Sequence, residues 1–197
     1  SSGRMGLAIA AEAVTRGARV VLVLGPVGLE PPSGAEDIRV RSAAQMRTAV
    51  MKHAADADAV IMAAAVADYT VSRGPGAQKL AKDHETLTLT LTRTTDILAE
   101  LGRWRGDRRQ PVLVGFAAET HDVVARAQTK LQTKRVDLIV ANDVSRADAG
   151  FEVETNLATL VDAAGTTDLA LQPKRELARV ILDRVDGLMS RPSAAAN

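Results

Sequence analysis

The chain alternates between apolar runs of strand length and segments whose apolar residues recur with helical spacing. A-V-I-M-A-A-A-V-A-D-Y at 59–69 is a nearly unbroken apolar run, the pattern of a parallel strand buried on both faces. Comparable strands are expected at Arg19–Leu24, Ile38–Val40, Pro111–Phe116 and Val136–Val140. Thr86 to Thr92 reads T-L-T-L-T-L-T, a period of two that predicts a strand with one apolar face. Helices fall between these strands. Leu7–Val14 is almost wholly apolar and predicts a buried helix, with Ser2 as N-cap and Gly17 as stop. Ser42-Ala43-Ala44-Gln45 is a capping-box pattern opening a helix that runs to about Ala55. Thr94-Thr95-Asp96 caps a helix from Ile97 to Trp104, and another spans Asp122–Arg135. Asn156–Asp162 and Thr167–Leu171 read as a strand pair across Ala163-Ala164-Gly165. Pro173 then starts a helix whose apolar face carries Leu177, Ile181 and Val185.

Strands alternating with helices predict an α/β fold, a three-layer α/β/α sandwich with a mainly parallel sheet and an antiparallel C-terminal strand pair. One nucleotide-binding domain is expected over residues 1–189, with a disordered tail at 190–197. Residues 1–6 read as a glycine-rich turn before a buried helix, so a strand is expected upstream of Ser1.

Composition narrows the chemistry. The 197 residues carry a net charge of +1, no Cys and only four aromatic residues of the Phe, Trp and Tyr types. Thiolate catalysis and zinc–thiolate sites are excluded, and neither a basic footprint nor a stacking platform for nucleic acid is present. His53, His84 and His121 are scattered, without metal-ligand spacing. No apolar run approaches the ~20 residues of a membrane span. A soluble cytoplasmic protein without nucleic-acid or membrane partners is the expectation.

The candidate chemistry gathers after the apolar run at 59–69. Asp68 arrives past the carboxyl end of that strand, the edge where open α/β sheets bind ligands. The following loop contains Gly and Pro and delivers Lys79 and Lys82. A carboxylate and lysines on one connection suit a metal-bound phosphate chain; the same residues also describe an ordinary strand and a solvated loop. Lys130 and Lys134 stand at i and i+4, on one helix face. The basic loop Arg103–Arg109 reads as solvated.

Four motifs in order, S-S-G-R-M-G at 1–6, A-A-V-A-D-Y at 64–69, G-F-A-A-E-T at 115–120 and A-N-D-V at 141–144, give the chain a resemblance to a known family. It resembles phosphopantothenate–cysteine ligase, the synthetase half of the bacterial bifunctional coenzyme A biosynthesis protein. The resemblance covers nearly the whole chain and implies a Rossmann-like fold and a homodimer. It also implies fusion to a flavin-dependent decarboxylase domain. The implied reaction has two steps. The carboxylate of 4′-phosphopantothenate attacks the α-phosphate of CTP, with Mg²⁺, to give an acyl-cytidylate and pyrophosphate. The amine of L-cysteine then displaces CMP.

The resemblance also implies site residues. Lys79 and Asp68 match catalytic positions, with Asp68 near the ribose or Mg²⁺. Lys79, Lys130 and Lys134 match lysines that contact the nucleotide. Met62, Ala63 and Ala64 match the strand end that reads it through backbone groups. Phe116 matches a neighbouring contact. Thr95, Asp96, Ile97 and Leu98 match a helix start at the nucleotide, although the family often has Asn-Pro where this chain has Thr94-Thr95. Ser1, Ser2 and Gly3 match a turn near the phosphates. The family's catalytic asparagine falls just upstream of Ser1.

Two other classes fit parts of the pattern. A nicotinamide-dependent oxidoreductase would use the glycine-rich turn at Gly3 and Gly6. However, it would want an acidic residue where Gly25-Pro26 follows the strand, and a Tyr-x-x-x-Lys pair where Tyr69 is followed by Arg73. The second is a nucleotide-binding module without catalysis.

Overall fold

The computed structural model describes residues 2–71, 86, 88–119, 121–143 and 153–190. It opens on helix α1 (Arg4–Thr15), which leads through Gly17, at φ 82°, into strand β1 (Val20–Leu24). β2 (Ala35–Arg39) pairs with β1 in parallel, and α2 (Ala43–Ala54) follows. Ser42 caps α2, its hydroxyl accepting from the Gln45 amide at 3.2 Å, while the Gln45 side chain reaches back to the Arg41 amide at 2.8 Å. Next come β3 (Ala59–Met62), β4 (Tyr69–Val71), β5 (Leu91–Arg93) and α3 (Ile97–Arg105). β6 (Val112–Glu119), α4 (Val123–Lys134) and β7 (Leu138–Asp143) form a strand–helix–strand unit. β8 (Thr155–Asn156), β9 (Ala158–Asp162), β10 (Gly165–Asp168), β11 (Gln172–Pro173) and α5 (Lys174–Met189) complete the described chain.

The main sheet has the order β10-β9-β7-β6-β3, with β3, β6 and β7 parallel and β9 and β10 antiparallel additions. The β1–β2 pair is hydrogen-bonded separately from it. Successive side chains on β6 and β7 point to opposite faces. Val112, Val114, Leu138 and Val140 therefore meet Ile9 of α1 and Leu177 and Ile181 of α5. Leu113 and Ile139 meet Val50 of α2, Leu98 and Leu101 of α3 and Ala127 of α4. The sandwich thus has α1 and α5 on one face and α2, α3 and α4 on the other. Each fully buried Leu or Ile contributes ~1.5–3 kcal/mol relative to exposure. Among the described residues, no helix is long and apolar enough to cross a membrane.

Several local expectations are corrected. The strand predicted at Thr86–Thr92 reduces to β5, which pairs with β4 as a separate exposed ribbon. Among the described residues no layer covers this segment, and Leu89 before β5 and Leu91 within it are both 54% exposed. β10 begins at Gly165, two residues before the predicted Thr167, because Asp162 accepts from the Ala164 amide at 2.8 Å and closes a tight turn. Gly3, not Ser2, occupies the N-cap of α1 and makes no side-chain cap bond. Within the loop expected to be solvated, Arg105 is buried. Its guanidinium pairs with Asp137 and donates to the carbonyls of Pro111 and Arg135, tying the end of α3 to β6 and β7. The tail at 191–197 lies outside the described residues.

Candidate active site

The period-two alternation that builds the core also builds the crevice. Beyond Val114 and Val140, the next residues toward the α1–α5 face are Phe116, Ala118 and Asn142. On β3 the chain passes Met62 and continues to Ala63 and Ala64. The N-terminus of α1 closes over this edge. Gly3 sits at φ 78°, and a Cβ there would meet Val27 at 3.0 Å, so a glycine is required on both counts. Gly6 faces Ala63 across ordinary contact distance. Ser2, Gly3, Gly6, Ala63, Ala64 and Phe116 thus line one cavity of about 110 Å³ at the carboxyl ends of β3 and β6. The unpaired amides of the first turn of α1 lie at this edge and favour an anion there.

The far end of the same cavity is polar, lined by Asn142, Asn156 and Lys174. Lys174 opens α5 and is buried, its ammonium donating to Asn156 Oδ1 at 3.1 Å and to the carbonyl of Val153. Burial pushes this ammonium below the ordinary lysine range; Glu154 opposes the shift and Arg4 adds to it.

A second group of charged residues forms a rim at the start of α3. The Thr94 amide donates to the Asp68 carbonyl at 2.8 Å, and the Thr94 hydroxyl donates to the Ala67 carbonyl. These bonds tie the backbone at Ala67 and Asp68 to Thr94. Asp96 caps α3 through the Ala99 amide at 3.0 Å and pairs with Lys134 at 3.1 Å. Lys130 pairs with the buried Glu119 at 2.6 Å, and Arg126 pairs with the same carboxylate at 2.9 Å. Burial pushes both carboxyls up. For Asp96, the Ala99 amide and Lys134 outweigh it; for Glu119, Lys130 and Arg126 do. Both end below the ordinary carboxylate range.

The structure therefore brings Ser2, Gly3, Ala63, Ala64 and Phe116 together in one cavity and Asp96 and Lys134 together on the rim, with the Asp68 backbone tied to Thr94 just before α3. Lys130 and Lys134 do share a face of α4, and each is held by a carboxylate. Met62 packs toward the α2–α4 core. Ile97 and Leu98 are buried in that core, so their side chains face away from any ligand and only their backbone amides are available. Ser1, Lys79 and Lys82 lie outside the described residues. Among the described residues no cluster of three or more His, Asp or Glu could hold a metal. A divalent ion at Asp68 would need ligand oxygens to complete its shell, the usual arrangement for Mg²⁺ on a polyphosphate.

Sequence reasoning assigned no role to Glu119, Asn142, Asn156 or Lys174. The first two stand inside the G-F-A-A-E-T and A-N-D-V motifs, which was the available signal. Lys174 gave none, since a lysine after a proline at a helix start reads as solvated.

Comparison with known proteins follows the same lines. The chain is 45% identical over 190 residues to the "Coenzyme A biosynthesis bifunctional protein CoaBC" of Bacillus subtilis, covering 95% of this chain and 46% of that protein. It is 44% identical over 191 residues to the protein of the same name from Vibrio parahaemolyticus, covering 96% of this chain and 47% of that protein. The chain thus spans about half the length of the curated relatives it matches. Among solved structures, the C-terminal domain of a CoaBC protein superposes with a TM-score of 0.78 at 38% identity, covering 96% of this chain and 84% of that one. The sequence model of the DNA/pantothenate metabolism flavoprotein C-terminal domain matches residues 1–188, and the chain belongs to that family.

Proposed function

We propose that this chain is the domain of a coenzyme A biosynthesis enzyme that joins 4′-phosphopantothenate to L-cysteine at the expense of CTP. The observation that carries the reading is the crevice at the carboxyl ends of β3 and β6. There, exposed backbone at Ala63 and Ala64, the ring of Phe116 and a helix N-terminus converge beside the α3–α4 rim. Fixed backbone donors and acceptors at Ala63 and Ala64 discriminate one base edge from another. The amides opening α1 and α3 receive phosphate oxygens. Mg²⁺ arrives with the triphosphate, and Asp68 supplies a carboxylate to it. Lys130 and Lys134 turn from Glu119 and Asp96 toward the phosphates. Lys79 meets the leaving pyrophosphate, where charge grows in the transition state.

Nucleotidyl transfer asks for this kind of charge stabilisation more than for an acid–base pair. The enzyme acts as a homodimer in the cytoplasm, fused to a flavin-dependent decarboxylase domain. The exposed edge of β10 and the exposed Tyr69, Val71, Leu89 and Leu91 on and beside the β4–β5 ribbon are the surfaces a partner would cover.

Single-turnover pyrophosphate release tests the reading. With phosphopantothenate present and cysteine omitted, CTP is expected to support release and ATP far less. Equal rates with the two nucleotides, or release that does not depend on phosphopantothenate, would overturn it.

A further inference from the structure

The proposed reaction needs a place for its second substrate, a small primary amine, and the polar end of the crevice is built for one. Asn142 lies on the α1–α5 face of β7, opposite Ala118 of β6. It is 7% exposed, and its Oδ1 is buried with no hydrogen-bond partner among the described residues. A buried acceptor left unmet is costly, and its retention calls for a ligand that donates to it. Asn142 lines the same cavity as Ala63, Ala64 and Phe116, so a donor held there lies next to the nucleotide end.

Charge selects the donor. Among the described residues, the charged groups around this end are Lys174 at the start of α5, with Arg4 of α1 and Glu154 paired to each other. Lys174, though held by Asn156 and backbone carbonyls, still presents a positive field. That field and the apolar walls both disfavour a second cation and favour a neutral amine. The same field attracts a carboxylate. One amine donor and one carboxylate on a small skeleton describe an α-amino acid.

We propose that Asn142 Oδ1 accepts a hydrogen bond from the amine of a small α-amino acid, with the amino acid's carboxylate toward Lys174, and thereby presents the nucleophile to the acyl nucleotide. The proposal rests on the ligase reading. On entering the site the ammonium leaves one proton with solvent, so the amine binds neutral. The amine lone pair then forms the C–N bond, the acyl C–O bond to phosphate breaks, and nucleoside monophosphate leaves with that electron pair. The second amine proton passes to water. Asn142 orients the amine throughout and takes no proton.

The test uses the full-length enzyme and separates the two chemical steps. Acyl-nucleotide formation is followed by pyrophosphate release without amine, and amine capture by amide formation after L-cysteine is added. For Asn142→Ala, the ratio of capture rate to formation rate is expected to fall about tenfold or more. Asn142→Asp keeps the shape and adds a charge that stabilises the ammonium, so its capture rate should fall and its pH profile should move to higher pH. It also keeps the test available if the alanine variant fails to fold. An unchanged ratio and an unmoved pH profile would overturn the role of Asn142 while leaving the ligase reading intact. Failure of the unmodified enzyme to release pyrophosphate from CTP would instead overturn both.

Discussion

The cavity under α1 and the rim on α3 and α4 solve the problem of holding a charged ligand in opposite ways. The cavity is fixed. Its walls are mainly glycines, alanines, Met5 and Phe116, and its polar end is made by the buried Asn142, Asn156 and Lys174, held on β7, β8 and the start of α5. The rim consists of long cationic side chains already paired with carboxylates of the same domain: Lys130 and Arg126 with Glu119, Lys134 with Asp96. A ligand entering the cavity meets preformed geometry and loses little to reorganisation. A phosphate reaching the rim must displace an existing ion pair, so its net gain is the difference between two charge-assisted bonds. The cavity is thus suited to selecting a ligand, and the rim to responding to its charge.

The contrast can be broken most severely by separating α3 from α4. Gly102 lies so close to the end of α4 that a Cβ there would fall 1.9 Å from the Lys134 carbonyl oxygen. Backbone cannot yield as a side chain can. Gly102→Ala should cost at least the ~3 kcal/mol typical of severe overpacking. For a domain of this size that lowers the melting temperature by roughly 6–12 °C. Nucleotide affinity should fall with it, since the rim loses its frame. A melting temperature within a degree of the parent would show that α3 and α4 can slide freely.

The next largest effect isolates the rim chemically. If Lys130 and Lys134 serve the triphosphate, alanine at either should raise the KM for CTP about tenfold, the scale of one hydrogen bond to a charged group. Glu119→Gln should act in the opposite direction. It releases Lys130 and Arg126 from their common partner, and the KM for CTP should fall by about two- to threefold. Steady-state kinetics on the three variants decides between a phosphate-binding face and a self-paired surface. A lysine variant indistinguishable from the parent supports the surface.

The two regions also differed in how far the sequence disclosed them. Continuous apolar runs located β3, β6 and β7, and therefore the edge where the cavity opens. The helix spacing placed Lys130 and Lys134 on one face. What the sequence could not supply was the partner of each charge. Lys130 meets Glu119 from a different element, and Lys174 meets Asn156 across β8; neither pairing has a local pattern. The period of two at Thr86–Thr92 misled for a related reason. Alternation predicts a two-faced strand, but only a neighbouring layer buries one face, and among the described residues β5 pairs with β4 alone. Gly3 at the N-cap of α1 is a further case, because its positive φ and the close approach of the Val27 side chain together favour glycine there.

The smallest effect, the pH dependence of stability, should separate the two regions by the end of the scale at which each acts. Asp96 and Glu119 have folded values below the unfolded ones of ~3.9 and ~4.3. In the window between folded and unfolded values the unfolded chain binds more protons, so stability rises with pH there. Their contribution is complete above that window and is lost as pH falls through the folded values. Lys174 is a cation whose folded value lies below the unfolded ~10.4. There too the unfolded chain binds more protons between the two values. The cost of burying Lys174 is therefore full at neutral pH and is relieved as pH rises through the window. The rim thus contributes to the acid limb, together with Glu100, whose carboxyl is held low by its hydrogen bond from Arg47 of α2, and the cavity contributes to the alkaline limb. Urea unfolding across the pH range measures both. Asp96→Asn combined with Glu119→Gln should make the acid limb shallower, leaving the share of Glu100, and leave the alkaline limb alone. Lys174→Met should flatten only the alkaline limb. If either change altered both limbs equally, the rim and the cavity would be one electrostatic unit, and the division between a fixed selecting site and a responsive charged one would fail.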